Sequence, residues 1–127
     1  MEDRITLLAD GEPVRCTFGF GPATPLEYSG AIVATDPARA EAPLANAAGL
    51  RSKLALTVRG ECAFTEKADR AAEAGAVALI VVNNEPGDTP CTPGAPGEYR
   101  GSVPVLGVSA SVGERLAAAA ECCLRIL

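Results

Sequence analysis

The stretch Lys53-Leu54-Ala55-Leu56-Thr57-Val58-Arg59-Gly60-Glu61-Cys62-Ala63-Phe64-Thr65-Glu66-Lys67 runs on through Ala68-Asp69-Arg70-Ala71-Ala72-Glu73-Ala74-Gly75 to Val77-Ala78-Leu79-Ile80-Val81-Val82. Its reading decides the fold. Lys53 to Val58 is a short apolar run of strand length, closed by Arg59-Gly60. Residues 65–75 read as a helix, with an acidic residue in the first turn and Gly75 placed to terminate it at C′. Phe64, Ala68, Ala71, Ala72 and Gly75 share one face, and the charged residues are expected on the other. Small side chains on the packed face let a helix lie close to whatever it covers. Val77 to Val82 is continuously apolar, as a parallel strand buried on both faces requires. Strand, helix and strand in about thirty residues form a βαβ unit, whose crossover is expected to be right-handed.

Outward from this unit, Ile5-Thr6-Leu7-Leu8 and Val14-Arg15-Cys16-Thr17-Phe18 flank the turn signal Asp10-Gly11 and read as a hairpin. Pro13 suggests a loop longer than two residues, and Phe18-Gly19-Phe20-Gly21-Pro22 is expected to break the strand. Gly30 to Ala34 reads as a short strand, and 38–49 as loop or a frayed helical turn. Residues 86–97 hold four Pro and three Gly, a long connection of the kind that is either functional or unstructured. Val103 to Val108 is a further strand, with Pro104 placing its start at an edge or bulge. Ser111-Val112-Gly113-Glu114 reads as a capping box opening a helix over 112–120, and Leu124 to Leu127 as a last strand. The expectation is one domain over 1–127, with its core signature at 53–84 and a Pro/Gly-rich loop at 85–101.

Composition narrows function. Among 127 residues there is no histidine, which removes Ser-His-Asp and Cys-His catalysis, His-ligated zinc and a histidine pH switch. A net charge of −5 argues against binding a phosphate backbone, so no nucleic-acid partner is expected. Only 4% of residues are aromatic, so the core must be built from Ala, Val, Leu and Ile. The longest apolar stretch, Ala74 to Val82, falls far short of the ~20 residues that span a bilayer, and no membrane insertion is expected. No signal peptide is visible in the sequence as written. The compartment expected is intracellular if Met1 is the native start, and endomembrane lumen or extracellular if the chain belongs to a secretory protein. Five cysteines, an odd number without a CxxC pair, read mainly as buried small hydrophobes. Cys122 and Cys123 should point to opposite faces of a strand. A disulfide of Cys62 or Cys91 is the alternative, and would imply oxidising surroundings.

The block Arg59-Gly60-Glu61-Cys62-Ala63-Phe64-Thr65-Glu66-Lys67, its Ala-rich continuation and Asn83-Asn84 resemble the signature of the protease-associated (PA) domain. Val103-Pro104-Val105 and Ser109-Ala110-Ser111-Val112-Gly113 are similar to the family's later strand and helix start. The likeness covers roughly residues 14 to 127. Asn83-Asn84-Glu85 with Cys91 is similar in particular to PA domains of signal-peptide-peptidase-like proteases. The resemblance implies an α/β, PA-type swivelling β/β/α domain with a central βαβ unit and two flanking helices. It implies an accessory module beside proteases, sorting receptors or ubiquitin ligases, not the catalyst itself. Many secreted members carry a cysteine before the strand equivalent to 53–58, able to pair with the one at Cys62. Residues 44–50 here hold none, which leaves Cys16, Cys91 or Cys122 as partners.

Arg59, Gly60, Glu61 and Cys62 lie at the carboxyl end of a parallel strand, where open α/β sheets place ligand sites. Arg59 offers a planar donor fork for a peptide carboxylate or carbonyl, and in sorting receptors that resemble this chain the corresponding loop contacts cargo. The structural alternative is that Arg59 braces its loop and Cys62 fills a core gap. Asn84, Tyr99 and Arg100, in and beside the 85–101 loop, are the second set of candidates, Tyr and Arg being types enriched at interface anchors. The alternative reading of that loop is a solvated insertion with no partner. Glu66, Asp69 and Glu73 read as solubilising, with no metal expected. Cys62 near a helix N-terminus, where thiol pKa values fall, is the best enzymatic case, but it lacks a histidine or a resolving cysteine. No phosphate-binding glycine motif occurs, and no cofactor is expected. The sequence is thus read as a non-catalytic module that contacts a protein or peptide, within a larger protein or assembly. The alternative is a structural subunit or spacer, and a thiol enzyme using Cys62 ranks third.

Overall fold

A computed structural model describes residues 2–95 and 99–127. Met1 and residues 96–98 of the expected 85–101 loop lie outside the described residues. In chain order the elements are β1 (Ile5–Ala9), β2 (Glu12–Pro13), β3 (Thr17–Phe20), β4 (Leu26–Gly30), β5 (Ile32–Ala34), α1 (Ala47–Leu50), β6 (Leu54–Val58), α2 (Phe64–Glu73), β7 (Ala78–Val82), β8 (Val105–Val108), α3 (Ala110–Ala118) and β9 (Cys122–Ile126). The strands form two sheets. One is antiparallel in the order β2-β1-β9-β4, and the other runs β3-β8-β7-β6-β5. In the second sheet β5, β6, β7 and β8 are parallel, and β3 pairs antiparallel at its edge.

The βαβ unit is present as read. Leu54↔Ala78 through Val58↔Val82 pair in register, and α2 bridges them. Side-chain alternation sorts the core into two layers. Leu54, Leu56, Ala78, Ile80, Leu106 and Val108 face the antiparallel sheet and α3, where Leu7, Leu116, Cys122, Leu124 and Ile126 complete one cluster. Ala55, Leu79, Val81 and Val105 face the other way and pack with Leu50, Ala68 and Ala71 from the two earlier helices. Covering both faces is why β6, β7 and β8 read as continuous apolar runs. Gly75, at φ +83°, follows the Ala74 C-cap as expected.

Several local expectations need correction. Asp10 and Gly11, both at positive φ, make a two-residue turn between Ala9 and Glu12, a tighter hairpin than Pro13 suggested. The run 14–18 is not its second arm. The chain leaves after Pro13, whose missing N–H suits an edge strand, and Thr17–Phe20 joins the other sheet against β8. Gly19 does not break β3. It sits at a register shift between Phe18 and Phe20, and a Cβ there would lie 2.7 Å from the carbonyl of Pro93. The strand β4, a short apolar–polar alternation Leu-Glu-Tyr-Ser that the sequence reading passed over, precedes the expected Gly30–Ala34 strand, which begins only at Ile32. Pro104 lies just before β8, an interior strand. The cap of α3 is Ser109, which accepts from the N–H of Val112 at 3.1 Å, so the helix starts at Ala110 and Ser111 is inside it. All five cysteines are free, so none of the suggested partners pairs with Cys62. Cys122 is buried and Cys123 partly exposed, as alternation requires. Lys67 is not among the charges of the exposed helix face: it is fully buried.

The 85–101 loop is not a free insertion along its described length. Cys91 and Pro93 are buried, and the hydroxyl of Thr17 donates to the Cys91 carbonyl at 2.8 Å. A Cβ on Gly107 would lie 1.8 Å from that carbonyl, so only glycine lets this strap lie on β8.

Candidate functional site

The site is assembled where β6 and β7 end. The Arg59 N–H bonds the Val82 carbonyl at 2.9 Å, carrying the strand pairing one step beyond β6. Gly60 (φ +116°) and Glu61 (φ +71°) then turn the chain toward α2. Gly60 suits its position for the conformational reason expected; Glu61 bears the same kind of strain with a side chain.

Two threonines and two cations hold a second segment, 38–40, against this turn. The Ala38 carbonyl accepts from Thr35 Oγ1 (3.1 Å), Thr57 Oγ1 (2.9 Å) and the Val58 N–H (3.0 Å). Lys67 Nζ donates to the Gly60 carbonyl at 2.7 Å and to the carbonyl of Arg39. Arg70 Nη1 donates to the Ala40 carbonyl at 2.6 Å. Three successive carbonyls are thus taken up by side chains of β6 and α2 and by residues beside them. Burial lowers the pKa of Lys67, and the neighbouring Cys62 and Glu41 oppose that shift in part. Sequence reasoning missed this role. The available signal was position: Lys67 follows Phe64 by three and precedes Ala71 by four, which places it inside the buried stripe.

Cys62 Sγ lies 3.6 Å from the Ala40 carbonyl and 3.9 Å from Arg70 Nη1, half-buried behind the turn. Arg59 is exposed at the surface and donates from Nη1 to Asn83 Oδ1 at 3.3 Å. Asn83, buried, also accepts from the Glu85 N–H and donates to the Thr89 carbonyl at 3.0 Å, so it anchors the start of the strap. Arg39, absent from the sequence reading, donates from Nε to the Arg59 carbonyl at 3.3 Å. Asn84 is exposed beside Gly60. Arg59, Gly60 and Asn84 are therefore brought together, joined by Arg39, with Cys62 beneath the turn and Glu61 exposed. Tyr99 has a different setting. Its ring meets Phe20 edge-on at 4.9 Å between centroids, within the cluster under α2, and burial raises its pKa. Arg100 is exposed. Burial likewise raises the pKa of Cys91, with the charge of Arg59 acting against it.

Two concavities flank these elements. An apolar groove of about 330 Å³ runs beside α3 and is lined by Leu56, Val58, Val82, Ala110 and Ala117. A second, of about 550 Å³, lies between residues 43–47 and the outer face of α2, where Glu66, Asp69 and Glu73 are joined by Arg70. Among the described residues no cluster of three or more His, Cys, Asp or Glu is placed to hold a metal, and no helix is long and apolar enough to cross a membrane.

Two sheets sharing one apolar layer, with a βαβ unit and helices on the outer faces, define a mixed α/β module of the swivelling β/β/α type. The chain belongs to the PA domain family, whose match spans residues 24–116. It is 38% identical over 79 residues to Aminopeptidase YwaD of Bacillus subtilis (strain 168), covering 62% of this chain and 17% of that protein. It is 40% identical over 105 residues to Signal peptide peptidase-like 3 of Arabidopsis thaliana, covering 79% of this chain and 19% of that protein. Among solved structures, BSAP, a zinc aminopeptidase from Bacillus subtilis, superposes with a TM-score of 0.77 at 27% identity, over 98% of this chain and 30% of that one. The chain thus spans under a fifth of these two curated relatives, and the relatives are enzymes of protease families.

Proposed function

We propose that this PA domain is a non-catalytic accessory module that contacts a protein or peptide through the turn at 59–62 and its neighbours. The observation that supports it most is the way Lys67, Arg70 and the two threonines fix the 38–40 and 59–62 segments while leaving Arg39, Arg59, Glu61 and Asn84 exposed. A rigid frame under an exposed charged rim lowers the entropy cost of holding a partner. Chemistry of the metallopeptidase kind, suggested by the zinc aminopeptidase relative, has no histidine ligand to draw on in this chain. Cys62 is half-buried behind the turn, packed against main-chain carbonyls and the Lys67 and Arg70 side chains, which suits a bracing role.

The test is capture of a stoichiometric partner by the chain, compared with Arg59→Ala and with surface variants of Asn84 and Arg100. Loss of capture with Arg59→Ala is the expected result. Capture insensitive to both loops would favour a scaffold without a recognition role. Peptide or thiol turnover by the chain that vanishes in Cys62→Ala would overturn the proposal in favour of an enzyme.

A further inference from the structure

We infer that Arg39, Arg59 and Asn84 form a carboxylate-binding site, so that the partner presents a carboxylate group to this rim. The inference rests on the contact reading above and names the chemistry of that contact. A Cβ built on Gly60 would lie 3.4 Å from Arg39 Nε and 3.5 Å from Asn84 Nδ2, so donors from two separate loops flank the small space that glycine leaves. Arg59 supplies a third donor group from the residue next to that glycine. Each guanidinium is held by one bond, Arg39 to the Arg59 carbonyl and Arg59 to Asn83 Oδ1, both at 3.3 Å. Among the described residues neither guanidinium forms an ion pair with a carboxylate.

On a chain of net charge −5, Arg39 and Arg59 lie on the two segments whose carbonyls the buried Lys67 ammonium joins, which gathers cationic side chains at this turn. A guanidinium presents planar, paired donors that match the two oxygens of a carboxylate, and the Asn84 amide adds a neutral donor to the same space. Glu61 is the next residue after Gly60, and Glu41 is close enough to act on Lys67. Both would repel a phosphate dianion more strongly than a carboxylate carrying one charge.

The experiment is an NMR titration of the chain that follows the Nε–H signals of its arginines. The probes are an end-blocked pentapeptide with one Glu, its Gln counterpart, a pentapeptide lacking acidic side chains but with a free C-terminus, and inorganic phosphate. Expected are saturating shifts at Arg39 and Arg59 with the Glu peptide and none with the Gln peptide. Arg39→Gln and Arg59→Gln should each weaken binding about tenfold, the loss typical of one charge-assisted bond. Arg125→Gln, on the other sheet, should leave it unchanged. A stronger response to the free C-terminus would support the same site and assign its source to a chain end. Equal response to Glu and Gln, saturation by phosphate alone, or indifference to both arginine variants would overturn the inference. Those results leave the contact reading to its own test, because partner capture lost in Arg59→Ala can persist without any carboxylate preference. Carboxylate binding with Arg59-independent capture would instead sink that reading and keep the site.

Discussion

At the scale of single residues, Lys67 has the largest consequences. A fully buried ammonium satisfied by main-chain carbonyls is costly to place and more costly to disrupt, because its removal leaves part-buried acceptors without their donor. Lys67→Met should therefore destabilise the fold by about 2–4 kcal/mol in urea unfolding, beyond the range of an ordinary surface substitution. The pH dependence has a definite sign. Burial holds the folded pKa of Lys67 below its ordinary value of 10.5, so between the two values the unfolded chain binds more protons. Stability contributed at this residue then rises with pH across that alkaline window. Unfolding of Cys62→Ser against Cys62→Ser/Lys67→Met, which removes the coupled thiol, should show their stability gap widening as pH approaches 10.5. A constant or shrinking gap would contradict the assignment.

At the scale of elements, two boundaries moved for physical reasons that local pattern does not carry. In sequence, Glu114 three residues after Ser111 points to Ser111 as the cap. Tertiary packing decides for Ser109, because β8 ends at Val108 and Gly113 must lie against Val82. Ser109→Ala should cost about 1 kcal/mol, the usual worth of an N-cap, and Ser111→Ala clearly less in the same thermal or urea measurement. The strap over β8 is a second such case. Gly107→Ala would drive a methyl group into the Cys91 carbonyl, a main-chain atom that cannot move aside alone. A loss of at least about 2 kcal/mol, with faster amide exchange across 89–93, is the expected outcome. The βαβ unit, by contrast, was legible in its elements and its apolar face, Lys67 excepted. Its apolar runs, helix face and terminal glycine all point the same way, and the structure adds the register from Leu54↔Ala78 to Val58↔Val82.

At the scale of the whole molecule, the two core layers govern which thiols reagents can reach. Cys91 and Cys122 are buried in different layers, and burial raises the pKa of each, so neither offers thiolate to solvent. Native protein should show both as slow with a thiol reagent, with all five reacting at once in denaturant, and reducing agent should leave the melting temperature unchanged. An unfolding midpoint that drops on reduction would mean that a disulfide holds the fold. The antiparallel sheet was the least legible part of the architecture. Its centre, β9, pairs with β1 at the far end of the chain, from Ile5↔Ile126 to Ala9↔Cys122, and with β4, whose apolar–polar alternation is only four residues long before Gly30. Neither pairing is encoded within a short window.

The sequence by itself determined the family, the βαβ unit, the apolar composition of the core and the absence of imidazole chemistry, because each is a property of residue type or of spacing within one or two turns or strands. The tertiary structure alone decided that the 38–40 segment is the other half of the candidate site. Arg39 lies 20 residues from Arg59, and its place beside Gly60 depends on carbonyls captured by Thr57, Lys67 and Arg70. Hydrogen bonds to a main-chain carbonyl are indifferent to the side chain that carries it. A site built on such bonds leaves almost no trace in the identities of the residues it positions.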